Sequence, residues 1–291
     1  MKRCIFSGEK ADSEEHVIPR WLQKRFNLDE EKVVIPNSSG LKYRYLKVPA
    51  SKTHNSNFGR IEKNISEGKY DATEVYLWAL KLHIGLISKS SNLPLNIQEP
   101  GSPLILDANR FKHQMRFFQS LYNLWAGTGN VDPLPIGSVY VVDSLTPDEF
   151  DLFHCFLTGT IGINVGDKLL LVFLWDQGQG LKSGIMKQWV SWHLPYTQTR
   201  IGQNDYKATC MMATHIWACE SAYFLYRHNA YISIVDMDGK LALVPPLFPE
   251  RTKPPNEQLY QYICESFGLK LEYFGGEINH KYSPSLRVYG S

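Results

Sequence analysis

Two short segments of this 291-residue chain concentrate side chains with chemical reach. In Glu14-Glu15-His16-Val17-Ile18-Pro19-Arg20 a carboxylate precedes an imidazole. In Ser51-Lys52-Thr53-His54-Asn55-Ser56-Asn57-Phe58-Gly59-Arg60-Ile61-Glu62 an imidazole precedes a carboxamide. Imidazole exchanges protons near neutral pH, and carboxylate and carboxamide oxygens suit a hard divalent ion that keeps positions open for a phosphate oxygen. The plainer alternatives are a histidine satisfied by backbone, a surface acid at Glu15, and an asparagine at 55 that caps the helix after it.

The elements that must position these residues can be read from pattern. Residues 1–64 are rich in turn formers, with extended pieces at 32–35 and 41–48 joined by Asn37-Ser38-Ser39-Gly40, and a helix over 57–65. Asp71-Ala72-Thr73-Glu74 is a capping box opening an amphipathic helix over 72–87, and Phe111, Met115, Phe118, Tyr122 and Trp125 mark a second over 109–125. Strands are expected at 138–142, 161–165 and 168–175, the last two joined by Gly166-Asp167 in hairpin position. Thr146-Pro147-Asp148-Glu149 reads as the start of a short helix. Further on, the pattern predicts a long helix over 205–228, a hairpin about Asp236-Met237-Asp238-Gly239, and a helix over 256–267. Without regular βαβ alternation the fold class is α+β: a small finger at 1–66 and a larger α+β body at 67–291.

Charge divides the same way. Residues 1–63 carry 13 Lys and Arg against 8 Asp and Glu, and the rest of the chain 18 against 21, so a basic finger faces a mildly acidic body. No apolar run is long enough to span a bilayer and the first residues turn polar too early for a signal peptide, so no membrane partner and a cytoplasmic location are expected. Five scattered cysteines argue against a disulfide framework.

Taken in order, Cys4-Ile5-Phe6-Ser7-Gly8, Glu15-His16-Val17-Ile18-Pro19 and Asn55-Ser56-Asn57-Phe58-Gly59-Arg60-Ile61-Glu62 resemble the HNH endonuclease superfamily. The bacterial branch in question reads C-x2-C-G, E-H-x-I-P and C-x2-C-N-x2-F/W-G, the last followed by an Ile-Glu pair. The resemblance covers about 64 residues. It implies a ββα-metal finger in which the acid and histidine end the first strand and the third metal-site residue opens the helix. Residue by residue, it implies Glu15 and Asn55 as ligands of a catalytic Mg²⁺ or Mn²⁺ and His16 as general base. The activity implied is hydrolysis of nucleic-acid phosphodiesters, DNA rather than RNA, in phage defence or a mobile element.

The chain departs from the pattern at Leu46, where the family's middle asparagine falls, and at Ser7 and Ser51, where it has cysteine. Of the four clamp positions Cys4, Ser7, Ser51 and His54, only Cys4 and His54 are zinc ligands by type, so structural zinc is expected to bind weakly or not at all. Glu62 is expected to pair with Lys63, Arg60 or Arg20, and Arg20, Lys24 and Arg25 to contact nucleic acid. The body would position substrate, sense a protein partner, restrain the finger or pair with a second copy. Weaker signals are the glycine-rich loop 178–184, the helix-borne Cys210, His215 and Cys219, and Trp189, Trp192 and His193. Two rival readings stand beside the nuclease: a finger that grips nucleic acid without cutting it, and a vestigial finger on an assembly protein.

Overall fold

The computed structural model describes residues 2–34, 40–99, 101–128, 136–144, 146–155, 159–175, 200–201, 233–237 and 240–244. The expected helices over 205–228 and 256–267, the 178–184 loop, the Cys210, His215 and Cys219 group and the Trp189, Trp192 and His193 group lie outside them. Helices and strands mix without alternation, so the fold is α+β. The chain divides into two compact units, one of residues 1–133 with 234–243, the other of 134–233 with 244–291. No helix among the described residues is long and apolar enough to cross a membrane.

The first unit begins with a tight turn, in which the Gly8 N–H donates to the Cys4 carbonyl and the Cys4 N–H to the Glu9 carbonyl. Strand β1 (Ser13–His16) follows, then the short helix α1 (Arg20–Arg25) behind Pro19. β2 (Lys32–Val34) pairs antiparallel with β3 (Gly40–Lys42). Sequence pattern predicts one extended piece over 41–48, but a 3₁₀ turn at Tyr43–Tyr45 divides β3 from β4 (Lys47–Ala50). The reason is visible in burial: Tyr43 and Leu46 both point inward, a spacing of three that a strand of period two cannot satisfy. β4 pairs antiparallel with β1, setting Glu15 opposite Val48 and His16 opposite Lys47.

Helix α2 (Lys52–Ser66) starts earlier than its apolar pattern suggests because the Ser51 hydroxyl caps it, accepting from the His54 N–H. Asn55 therefore lies within the first turn, its own N–H bonded to the Ser51 carbonyl, and is not the cap. Helix α3 (Ala72–Ser90) opens as expected, with the Asp71 carboxylate accepting from the Glu74 N–H at 2.8 Å. α4 (Lys112–Thr128) is preceded by a 3₁₀ turn at Ala108–Phe111.

Residues 1–66 alone have little interior, and they pack against α3 and α4. The Phe6 ring lies 5.0 Å from Phe58 on α2, and 5.2 and 5.8 Å from Tyr122 and Phe118 on α4. Trp21 of α1 stacks on Trp78 of α3. The boundary expected at 66/67 thus falls inside the first compact unit, because α3 and α4 complete its interior.

Gly85 of α3 packs against Val17, just beyond β1. A Cβ there would stand 2.9 Å from both methyls of buried Val17, and rotating the valine can move only one of them away. Gly85→Ala is expected to lower stability by up to about 2 kcal/mol, the net of an overpacking cost of about 1–3 kcal/mol and alanine's advantage in helix propensity of about 1 kcal/mol. Urea unfolding checks this, and Val17→Ala in the same chain should recover most of the loss; an unchanged midpoint for the single variant contradicts it.

In the second unit β5 (Ser138–Ser144), β6 (Leu152–Cys155), β7 (Thr160–Asn164), β8 (Lys168–Phe173) and β9 (Arg200–Ile201) form one sheet in the order β6-β7-β8-β5-β9. Neighbours are antiparallel except β5 and β9. The expected β7–β8 hairpin is present, closed by the Val165 N–H on the Lys168 carbonyl with Gly166 at φ 116°. The helix expected from Thr146 is instead a turn leading into β6. Its carbonyls at Thr146 and Glu149 accept from the buried Asn164 side-chain amide at 2.7 and 2.6 Å, which fixes the turn against β7. β10 (Ser233–Met237) and β11 (Lys240–Val244), most of whose residues belong to the first unit, pair in a separate two-stranded sheet.

Candidate functional site

Alternation along β1 sends Glu15 and His16 to different surroundings. Glu15 is buried against Lys81 of α3, whose Nζ is 2.5 Å from the Glu15 carboxylate and 2.9 Å from that of Glu62 on α2. The same ammonium donates to the backbone carbonyls of His16 at 2.6 Å and Val17 at 3.2 Å. Lys81 is wholly buried. Burial works against its charge, but attraction to Glu15 and Glu62, with hydrogen bonds to both, holds its pKa above the ordinary value. Burial lifts the Glu62 carboxyl above the usual range; Lys81 opposes the shift and Glu15 reinforces it. Glu62 therefore pairs with Lys81, not with the expected Lys63, Arg60 or Arg20.

His16 lines a cleft of about 400 Å³ with Arg20, Gln23, Asp29, Glu30, Arg44, Tyr45 and Lys47. Burial lowers the imidazole pKa, Lys47 lowers it next, Arg20 and Lys81 add to the effect, and Glu15 opposes it. The ring is thus neutral at pH 7, with a lone pair available as a base. Three cationic side chains face two carboxylates in this lining. Glu30 is engaged by Lys42 and Arg44, which hold its carboxyl below the usual range.

Of the basic residues expected to contact nucleic acid, Arg20 lines the cleft. Lys24 and Arg25, exposed in the last turn of α1, do not. Arg44 and Lys47 were missed by sequence reasoning, although pairing the two strands of a ββα finger places Lys47 directly across from His16.

The donor set does not fit the divalent ion that Glu15 and Asn55 were expected to hold. A lysine ammonium already satisfies the Glu15 carboxylate and would repel a second cation. Among the described residues no group of three or more His, Cys, Asp or Glu side chains can hold a metal.

The clamp positions are joined by hydrogen bonds. Buried Cys4 Sγ accepts from the Ser51 N–H at 3.2 Å, and Ser7 Oγ lies 3.4 Å from the Glu9 carboxylate. The Tyr122 hydroxyl donates to the His54 carbonyl at 3.2 Å and lies 3.1 Å from His54 Nδ1. His54 Nε2 is 3.7 Å from Glu9. Burial, with Asn57 opposing and Cys4 reinforcing, pushes the Tyr122 phenol up to about 12, so it remains a donor throughout the neutral range. With both imidazole nitrogens facing these partners and two serines among the four positions, the arrangement does not fit tetrahedral zinc. A second buried imidazole, His83, is lowered to about 4 by burial, which a hydrogen bond to Gln114 opposes; it belongs to the core of α3.

Comparisons with models of known protein families, with curated proteins and with solved structures find no match to this chain.

Proposed function

We propose that the first unit engages the phosphodiester backbone of nucleic acid in the cleft around His16, and that His16 takes the proton from a water whose oxygen bonds to phosphorus as a P–O ester bond breaks, the leaving oxygen taking a proton from solvent. The observation that supports this reading most is a neutral imidazole facing a cleft shared with Arg20, Arg44 and Lys47. A nearby neutral base can generate the nucleophile, and guanidinium and ammonium groups can stabilise charge gathering on the phosphoryl oxygens. The antiparallel pair of β1 and β4 followed by α2, with the acid and histidine ending β1, suits the HNH resemblance read from sequence. No step is assigned to a metal ion.

Binding without cleavage is the second reading, and one observation favours it: Lys81 neutralises the carboxylate that resemblance would give to a catalytic ion.

Purified full-length protein, incubated with labelled DNA and RNA with added Mg²⁺, with added Mn²⁺ or with chelator, separates the readings. Cleavage products support hydrolysis; binding alone supports the second reading; neither overturns both. Cleavage abolished by chelation would show that hydrolysis needs a divalent ion. Substituting Arg20→Gln and Lys47→Gln together is expected to weaken binding and reduce the dependence of log K on log salt by up to about 2, one for each phosphate that a cation no longer neutralises. An unchanged slope moves the binding surface out of the cleft.

A further inference from the structure

Among the large apolar side chains most exposed in the described residues, namely Tyr45, Leu95, Ile97, Leu104 and Val141, only Tyr45 is aromatic, and only Tyr45 lines the His16 cleft. Tyr45 is 54% exposed. Its exposure leaves ring surface open to a ligand inside a cleft that also carries Arg20, Arg44 and Lys47.

The backbone beneath it is held firmly. Tyr43 and Leu46 are buried on either side, the Leu46 N–H donates to the Tyr43 carbonyl at 3.0 Å, and Lys89 Nζ donates to the Tyr45 carbonyl at 3.1 Å. The Arg44 guanidinium lies 5.0 Å from the centre of the Tyr45 ring, and Glu30 holds it through an ion pair. Arg44 Nε is buried without a hydrogen-bond partner. The guanidinium covers one face of the ring, and Arg20 and Lys47 line the same cleft.

The geometry points to a stacking site for an unpaired nucleobase on Tyr45 and Arg44, with the adjoining phosphate directed toward Arg20 and Lys47. This rests on the proposed engagement of nucleic acid in the cleft and adds a substrate class, single strands. Bases in a duplex present their faces to one another and not to a side chain, whereas an unpaired base of any identity offers a π-face. The inference therefore gives strand state, and no sequence preference, to this position.

The test uses the full-length protein with short single-stranded DNA and RNA of one mixed sequence, each carrying 2-aminopurine, and with the matching duplexes. Tyr45→Ala is expected to weaken binding of the single strands by roughly 5- to 150-fold, the range for removing one base-aromatic stack, and to remove the quenching of 2-aminopurine. Tyr45→Phe should bind as the parent does, and duplex binding should not change. The DNA and RNA arms show which backbone is preferred.

Equal weakening for single strands and duplexes, or a Tyr45→Ala protein that binds and quenches as the parent does, overturns the stacking site. In the second case, if Arg20→Gln with Lys47→Gln still weakens binding and lowers its salt dependence, the cleft assignment stands and only the stacking falls. If neither set of substitutions matters, the cleft assignment fails with it. A platform that fits another protein instead would leave every nucleic-acid arm indifferent to Tyr45, which also counts against the inference.

Discussion

Lys81→Met is expected to destabilise the first unit by about 3–5 kcal/mol at pH 7, the scale for removing one partner of a buried ion pair. The methionine retains much of the bulk, so the effect is electrostatic in origin: Glu15 and Glu62 would remain buried with no positive charge between them. The backbone carbonyls of His16 and Val17 lose a donor as well. Glu62 is already raised by burial, and without the ammonium it should rise further. A carboxyl whose folded pKa exceeds its unfolded value binds its proton preferentially in the folded state, so ionisation opposes folding. Stability of the variant relative to the parent should therefore recover as pH falls toward the carboxylate range and worsen as pH rises. Urea unfolding at several pH values reads this directly. A variant with the parental midpoint at pH 7 would show that the triad contributes no net stability.

His16→Ala should lower cleavage by at least about 10²-fold while leaving the fold intact, as for removal of a general base. The fold should persist because Lys81 is bonded to the His16 carbonyl, which alanine retains. The pH profile separates a base from a residue that merely positions substrate. Because the folded pKa of His16 lies below 6.5, the rate should be level through neutrality and fall as pH drops through that lowered value, where the imidazole takes up a proton. Lys47→Gln removes the second-largest cause of the lowering, so the acid limb should move upward, toward 6.5. Cleavage by His16→Ala at the parental rate, or an acid limb indifferent to Lys47, would remove His16 from the chemistry. A parent protein that binds but does not cut leaves only the second reading.

How far the molecule could be read from its sequence depended on whether the signal was local. The Asp71 and Glu74 cap and the Gly166-Asp167 turn are written in adjacent residues, and both elements appear where expected. The Thr146 turn carried the same kind of helix signal, but Asn164, distant in sequence, captures its carbonyls. For the candidate site, the pairing of an acid and a histidine on β1 was legible, while the partner of the acid was not. Lys81 is the only charged residue in the run 75–87 of α3, where helical pattern suggested one apolar stripe and the structure buries nearly every side chain. A lone charge in such a run must find a countercharge. That inference was open to the sequence, but the identity of the partner required the three-dimensional approach of α3 to β1.

The bond between His54 and Tyr122 joins residues 68 positions apart. Translation is vectorial, and at about 5–20 residues per second α4 is polymerised on the order of ten seconds after the start of α2. During that interval Phe6 and Phe58 have been made but their partners Phe118 and Tyr122 have not. The aromatic cluster of the first unit is therefore completed only once α4 has emerged.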